Sequence, residues 1–228
     1  RKQNQAKCLY ADVKTGRTTE FYADSDDAWV ETKSSYSWAD SPAGWDWLNG
    51  GKEFLWMSEK DGWRHLYRVS RDGKTEKCLT VGDYDVIGIV RIDEKNNYAY
   101  FMASPDNATQ TYLFRVKLDG SGKAERMSPA SQVGSHRYDI SPNGAWASHS
   151  FSNANTAPMN EWLRLPDHKA LKESDDITAK LAAQTSAKKK VEFFRIKTED
   201  GTELDGWMVK PDDFDPTKKY PIVFSVYG

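Results

Sequence analysis

The sequence has no long apolar run and almost no net charge, and each of these shortages excludes a class of protein. No stretch of about eighteen apolar residues occurs, so the sequence predicts no transmembrane helix. The 32 Lys and Arg residues nearly balance the 34 Asp and Glu residues, which gives a net charge of −2. Nucleic acids and anionic membranes are bound by concentrated basic surfaces. We therefore expect neither as a partner.

Cysteine is also scarce. Cys8 and Cys78 are the only two, and they lie in separate runs with strand-like composition. Two buried free thiols are the expected arrangement, and a disulfide between them is the open alternative. Neither cysteine has metal-type spacing to a second Cys or to a His, so the sequence predicts no metal site at either position.

Motifs for nucleophilic catalysis and metal binding are missing as well. No Gly-x-Ser-x-Gly nucleophile motif occurs. None of the four histidines has a partner at a spacing such as His-x-x-x-His; they are His65, His136, His149 and His168. Acidic clusters at 24–27 and 212–215 lack the regular calcium-loop pattern, so we expect solvated loops there. The residues alone predict no metal site, no cofactor and no complete catalytic apparatus.

Aromatic residues and turns, by contrast, are abundant and periodic. Nine Trp, eleven Tyr and nine Phe are typical of extensive β structure. Asp72-Gly73 and Asp119-Gly120 stand 47 positions apart, as do Leu66-Tyr67 and Leu113-Phe114. A third copy of the pattern begins at Ser141-Pro142-Asn143-Gly144. A period in the high forties, with short strands and a turn at each joint, indicates the blades of a β-propeller.

The repeat predicts an all-β region over residues 1–170. Residues 6–22 fit the end of an earlier blade, and two full blades and a degraded third follow, so the chain holds a partial propeller of about three blades. A β-sandwich with coincidental spacing is the alternative interpretation. Too few blades are present to close a ring, so we expect the chain to be a piece of a longer protein.

After residue 170 the pattern changes twice. Residues 171–190 are expected to form a linker with a short helix over 177–187, capped by Ser174-Asp175-Asp176. Residues 191–197 and 202–210 predict two strands joined by a turn at Asp200-Gly201. The apolar run at 222–227 is typical of a strand buried on both faces, and we expect 191–228 to be the beginning of an α/β-hydrolase domain.

Several motifs together resemble one family. These are Gly62-Trp63-Arg64-His65-Leu66-Tyr67, Asp85-Val86-Ile87-Gly88, Leu204-Asp205-Gly206-Trp207-Met208-Val209-Lys210-Pro211 and Lys218-Lys219-Tyr220-Pro221-Ile222-Val223-Phe224-Ser225-Val226-Tyr227-Gly228. The combination resembles the prolyl oligopeptidase family of serine peptidases, and within it the bacterial members of the dipeptidyl peptidase IV branch. The resemblance covers essentially the whole chain.

The resemblance implies an eight-bladed propeller that caps an α/β-hydrolase domain with a Ser-Asp-His triad. It also implies release of dipeptides, or tripeptides in some relatives, from peptide N-termini after Pro or Ala. A homodimer and a periplasmic, secreted or envelope location follow from the same likeness. Other branches, an acylaminoacyl peptidase or an oligopeptidase, and a non-enzymatic binding propeller are the alternatives.

Three residues acquire expected roles through the resemblance. Tyr227 matches the family tyrosine whose hydroxyl donates to the oxyanion of the tetrahedral intermediate. Trp29-Val30 matches a pair that precedes a substrate-bordering loop, so Tyr36 and Trp38 in residues 31–44 are candidate substrate-binding residues. The triad is expected beyond Gly228, so this piece alone should be inactive.

Overall fold

The computed structural model describes residues 2–31, 44–171 and 191–225. These residues form sixteen β-strands and no helix. The strands are β1 (Gln5–Ala11), β2 (Thr18–Ser25), β3 (Trp45–Leu48), β4 (Glu53–Ser58), β5 (His65–Ser70), β6 (Glu76–Cys78), β7 (Val86–Asp93), β8 (Tyr98–Ala103), β9 (Tyr112–Lys117), β10 (Glu125–Arg126), β11 (Ser135–Ile140), β12 (Trp146–Asn153), β13 (Thr156–Arg164), β14 (Lys169–Ala170), β15 (Val191–Lys197) and β16 (Glu203–Val209). Within those ranges no helix is long and apolar enough to cross a bilayer.

Three successive four-stranded antiparallel sheets make up the middle of the chain. Their strand orders are β3-β4-β5-β6, β7-β8-β9-β10 and β11-β12-β13-β14, with consecutive strands always neighbours. The first two sheets bury equivalent positions, since Leu66 and Leu113 are both fully buried at the second place of β5 and β9. The predicted repeat of 47 residues is therefore a structural repeat. This arrangement is consistent with consecutive blades of a β-propeller.

The third sheet is complete, which corrects the expectation of a degraded blade. Its strand β12 buries Ala147, His149 and Phe151 in alternation. A histidine occupies the middle of this buried face, so the apolar pattern that marks the other sheets is interrupted in the sequence. The earlier partial blade is present as the two-stranded β1-β2 sheet.

Apolar clusters between neighbouring sheets hold the stack together. One lies between the β1-β2 sheet and the first four-stranded sheet, and Tyr22 and Phe54 belong to it. The next joins the first and second sheets through Leu66 and Phe101, and the last joins the second and third through Tyr100 and Ile140. Each sheet buries its faces only against its neighbours, as repeat architectures do.

The end of the chain agrees with the prediction in one part and departs from it in another. β15 and β16 pair along their whole length around a turn in which Gly201 has a φ of 89°, so the predicted hairpin is confirmed. Residues 221–225, however, form no strand, and Val223 and Phe224 are 94% and 82% exposed. The reason is that no described strand lies beside this run to accept its hydrogen bonds. The linker predicted at 171–190, apart from its first residue, lies outside the described ranges, and so does the helix predicted at 177–187.

Candidate functional site

The three residues with expected roles in substrate binding or catalysis lie outside the described ranges. Tyr36 and Trp38 belong to residues 32–43, and Tyr227 belongs to residues 226–228. Their roles therefore stay predictions. The structure does describe both ends of the segment that contains Tyr36 and Trp38, and these ends lie on two neighbouring sheets.

The segment begins after β2 at a firmly hydrogen-bonded turn. Asp26 Oδ1 accepts the backbone N–H groups of Ala28 at 2.7 Å and Trp29 at 3.1 Å. These bonds, that of Ala28 first, lower the pKa of Asp26, so its carboxylate is charged at neutral pH. The buried Val30 donates its N–H to the Gln3 carbonyl at 2.8 Å, whereas Trp29 is half-exposed. Trp29 thus projects from a fixed backbone.

The segment ends at Gly44, which is held against β4. Gly44 donates its N–H to Asp46 Oδ2 at 3.0 Å, and its carbonyl accepts the N–H of Met57 at 2.9 Å. A Cβ at this position would lie 2.9 Å from Met57 Cε, and the φ of Gly44 is 81°. The described residues on either side of 32–43 are therefore held in place, Val30 by Gln3 just before β1 and Gly44 by Met57 of β4.

A small acidic cleft lies where the turn after β2 meets the turn between β4 and β5. Its volume of about 10 Å³ is that of roughly one water molecule. Asp24 at its base is buried, and its Oδ2 accepts the indole N–H of Trp56 at 2.8 Å. The lining residues are Asp24, Asp26, Trp29, Val30, Glu31, Ser58, Glu59 and Lys60. Acidic groups outnumber basic ones here, so the cleft suits a hydrogen-bond donor or a cation better than an anion.

The β4–β5 turn also carries a cluster of potential metal ligands. Asp61, His65 and Cys78 each offer one ligand atom, and these atoms all lie within 4.8 Å of one another. The sequence predicted no metal site at His65 or Cys78, because neither has a partner at a familiar spacing. Cys78 reaches the site only through the pairing of β6 with β5, opposite Tyr67. The spacing Asp61-x-x-x-His65 at the start of a strand was the available signal.

The cysteines are free thiols, as expected, and the disulfide alternative is not realised. Cys8 is buried and Cys78 is partly buried, and both contact the same apolar cluster. Burial is the main cause that raises the pKa of both thiols, so both are protonated at neutral pH.

The third sheet also contains a network of histidines that the sequence did not predict. His136 Nδ1 lies 2.9 Å from His149 Nε2, and His149 Nδ1 lies 2.7 Å from Glu161 Oε1. The Tyr138 hydroxyl lies 2.8 Å from His168 Nε2 and 3.3 Å from His136 Nδ1. The residues come from strands β11, β12 and β13 and from the turn after β13. Their separation in sequence hides the cluster, because strand register alone brings them together.

Burial sets the charge state of this network. It lowers the pKa of His136 to about 4 and lowers the pKa of His168 as well. The hydrogen bond from His149 is the main cause that lowers the pKa of Glu161. At neutral pH, His136 and His168 are therefore neutral, and the Glu161 carboxylate is charged.

Residues 1–158 match a family model described as the dipeptidyl peptidase IV (DPP IV) N-terminal region. That match covers more than half of the 228 residues. The chain belongs to this family. The resemblance to the dipeptidyl peptidase IV branch that the motifs predicted is thereby confirmed.

Individual relatives agree with the family assignment. The probable dipeptidyl peptidase 4 of Arthroderma benhamiae is 28% identical over 212 residues, which are 90% of this chain and 26% of that protein. Dipeptidyl peptidase 4 of Trichophyton rubrum has the same identity and coverage. The chain therefore spans about a quarter of the length of these curated relatives.

Solved structures show the same likeness in three dimensions. The crystal structure of Porphyromonas gingivalis dipeptidyl peptidase 4 superposes with a TM-score of 0.77 at 25% identity, over 96% of this chain and 29% of that one. A putative dipeptidyl aminopeptidase IV from Bacteroides ovatus has a TM-score of 0.74 at 22% identity, over 96% of this chain and 32% of that one, and shares the fold.

Proposed function

We propose that this chain is part of a serine exopeptidase that releases dipeptides, or tripeptides, from peptide N-termini after Pro or Ala. The observation that carries the proposal is the extent of the structural likeness to the P. gingivalis enzyme. It covers 96% of the chain, whereas the family model ends at residue 158, so the likeness extends into the β15-β16 hairpin. A propeller used only for binding has no reason to continue into that hairpin.

The proposal divides the chain into three parts. Residues 1–170 are blades of the propeller, residues 171–190 are a helical linker, and residues 191–228 are the beginning of the α/β-hydrolase domain. The hairpin supports this division because it is far more exposed than the sheets, with Phe193, Ile196 and Trp207 exposed by 54%, 52% and 64%. Burial of such side chains is worth about 1.5–3 kcal/mol each, which favours a further layer of protein over them.

Tyr227 is the residue of this chain that takes part in the chemistry under the proposal. A phenol with a pKa near 10 stays protonated at neutral pH, so the hydroxyl can donate to the oxyanion of the tetrahedral intermediate. The segment that carries Tyr36 and Trp38 faces the peptide substrate, and the residues that precede it, Trp29 to Glu31, line the acidic cleft. The triad is contributed by other parts of the protein, so the chain alone is inactive, and the whole enzyme acts as a homodimer in the envelope or outside the cell.

The test assays the whole protein that carries this chain. Gly-Pro and Ala-Pro p-nitroanilides are compared with the same substrates acetylated at the N-terminus. We expect hydrolysis of the free substrates alone, and its loss after treatment with a serine-directed fluorophosphonate. A preference for the acetylated substrates would instead indicate an acylaminoacyl peptidase, and inactivity towards all four would indicate a binding module.

A further inference from the structure

Three side chains with different ligand atoms meet at one end of the first four-stranded sheet. His65 is the first residue of β5, Cys78 is the last residue of β6, and Asp61 lies in the turn between β4 and β5. One nitrogen, one sulfur and one oxygen all lie within 4.8 Å of one another. A mixed set of imidazole, thiolate and carboxylate suits Zn²⁺, whereas Mg²⁺ and Ca²⁺ prefer oxygen ligands alone.

A contact of the second ring nitrogen of His65 with Thr80 orients the ring towards this cluster. Its side chain is 3% exposed, and Nδ1 lies 3.2 Å from Thr80 Oγ1, which also accepts the backbone N–H of Leu66 at 3.0 Å. If Nδ1–H donates to Thr80, the lone pair of Nε2 faces the cluster. A histidine that binds a metal almost always makes such a bond with its other nitrogen.

The distance between two of the ligand atoms fits a tetrahedral site. His65 Nε2 lies 3.7 Å from Asp61 Oδ2, which is too long for a hydrogen bond. Two ligands about 2.0–2.2 Å from a tetrahedral Zn²⁺ are roughly 3.4 Å apart, so this pair needs only a small shift to bind one ion. The separation is that of a loose ion pair, and it is also close to that of two ligands on one ion.

The surroundings support the same arrangement. The Tyr67 hydroxyl interacts with the Asp61 carboxylate beside the site. The nearby cation, Lys60, is already paired with Glu76 Oε2 at 2.6 Å. The ring of Tyr84 packs edge-on against His65 with centroids 5.8 Å apart. Asp61 is 44% exposed, which leaves a path from solvent for the ion and for a water ligand.

We propose that Asp61, His65 and Cys78 form a Zn²⁺ site with a water molecule as the fourth ligand. The ion joins the β4–β5 turn to the three-residue edge strand β6, and the turn also lines the acidic cleft through Glu59 and Lys60. Binding replaces the thiol proton of Cys78 by the metal, and that proton passes to the buffer. The site fixes the turn beside the candidate substrate-facing segment.

The test uses the whole untagged protein that carries this chain, stripped of metal with a chelator. Zn²⁺ is titrated by calorimetry, and Co²⁺ is added as a spectroscopic probe. We expect one site on this chain, with tetrahedral ligand-field bands and a thiolate-to-cobalt charge-transfer band. Cys78→Ser should abolish that band. It should also weaken Zn²⁺ binding by more than about 100-fold, because loss of a residue that merely hydrogen-bonds to a ligand already costs up to about 100-fold.

Two further variants keep the test decisive. Cys8→Ser removes the other thiol of the same apolar cluster and should leave both the titration and the spectrum unchanged. Asp61→Asn changes a partly exposed side chain with little change in shape, and it should weaken Zn²⁺ binding even if Cys78→Ser fails to fold. No saturable binding, a cobalt spectrum without the thiolate band, or equal losses in Cys8→Ser and Cys78→Ser would overturn the proposal.

Discussion

His136 and His149 lie side by side inside the third sheet, with Nδ1 of the first 2.9 Å from Nε2 of the second. Their rings are stacked, with centroids 5.1 Å apart and planes inclined by 13°. His136 is buried, and burial, followed by the neighbouring imidazole, disfavours a second proton on its ring. His136 therefore makes this part of the fold sensitive to acid.

Acid should destabilise the protein over a defined range of pH. Burial lowers the pKa of folded His136 to about 4 from an ordinary value of 6.5, so between those values the unfolded chain binds the additional proton. The free energy of unfolding then falls as the pH falls, by up to about 1.4 kcal/mol per pH unit for each such proton. Urea unfolding of the protein and of His136→Asn measures the difference, and the variant should have the flatter profile. Parallel profiles from pH 7 down to pH 4 would contradict this explanation.

Glu161 should stabilise the third sheet through its bond to His149. Its oxygen lies 2.7 Å from Nδ1, and its side chain is only 8% exposed. Glu161→Ala leaves the buried N–H of His149 without that acceptor, and we expect a loss of about 1–3 kcal/mol in the free energy of unfolding. Glu161→Gln keeps an oxygen that can accept the same N–H, so its loss should be clearly smaller. Equal losses in urea unfolding would contradict a stabilising role for this hydrogen bond.

Gly73 should be much less replaceable than Gly16. Both have a φ of 71°, so alanine suffers the same backbone strain at either position, about 1–2 kcal/mol. A Cβ at Gly73, however, would lie 1.9 Å from the Phe21 carbonyl oxygen, whereas a Cβ at Gly16 meets nothing within 4 Å. Gly73→Ala should therefore lower the melting temperature clearly more than Gly16→Ala does. Similar melting temperatures would show that the β5–β6 turn does not need its close approach to β2.

Tyr227 should matter to turnover and not to folding. Under the proposed function, Tyr227→Phe in the whole protein removes one oxyanion donor, and the loss of such a donor typically lowers kcat by about 10²–10³-fold. The control is Tyr220→Phe in the same segment, where the hydroxyl accepts the backbone N–H of Asp215 at 2.9 Å. That variant should keep its turnover. Steady-state rates with a Gly-Pro anilide compare the two, and an unchanged rate for Tyr227→Phe would remove the residue from the mechanism.

The sequence predicted the features that repeat and missed those that depend on strand register. Leu66 and Leu113 recur in phase, so the sheets could be inferred from spacing alone. The ligand cluster of Asp61, His65 and Cys78 could not, because Cys78 meets His65 only through the pairing of β6 with β5. The apolar run that includes Val223 predicted a buried strand, but a strand forms only where another strand accepts its hydrogen bonds.

The family resemblance supplied what local patterns could not. No spacing in the chain marks Tyr36, Trp38 or Tyr227, and their roles come only from matched motifs. The histidine network had no such motif either. His149 and Glu161 are twelve positions apart and face each other only because β12 pairs with β13 in that register.

We propose that the chain is part of an exopeptidase, and identification of the product tests this proposal most directly. The whole protein is incubated with an oligopeptide that begins Ala-Pro, and with the same peptide acetylated, and the products are identified by mass spectrometry. We predict free Ala-Pro dipeptide and a peptide shortened by two residues from the first substrate, and no cleavage of the second. Cleavage only at an internal bond, or only of the acetylated peptide, would contradict the claim.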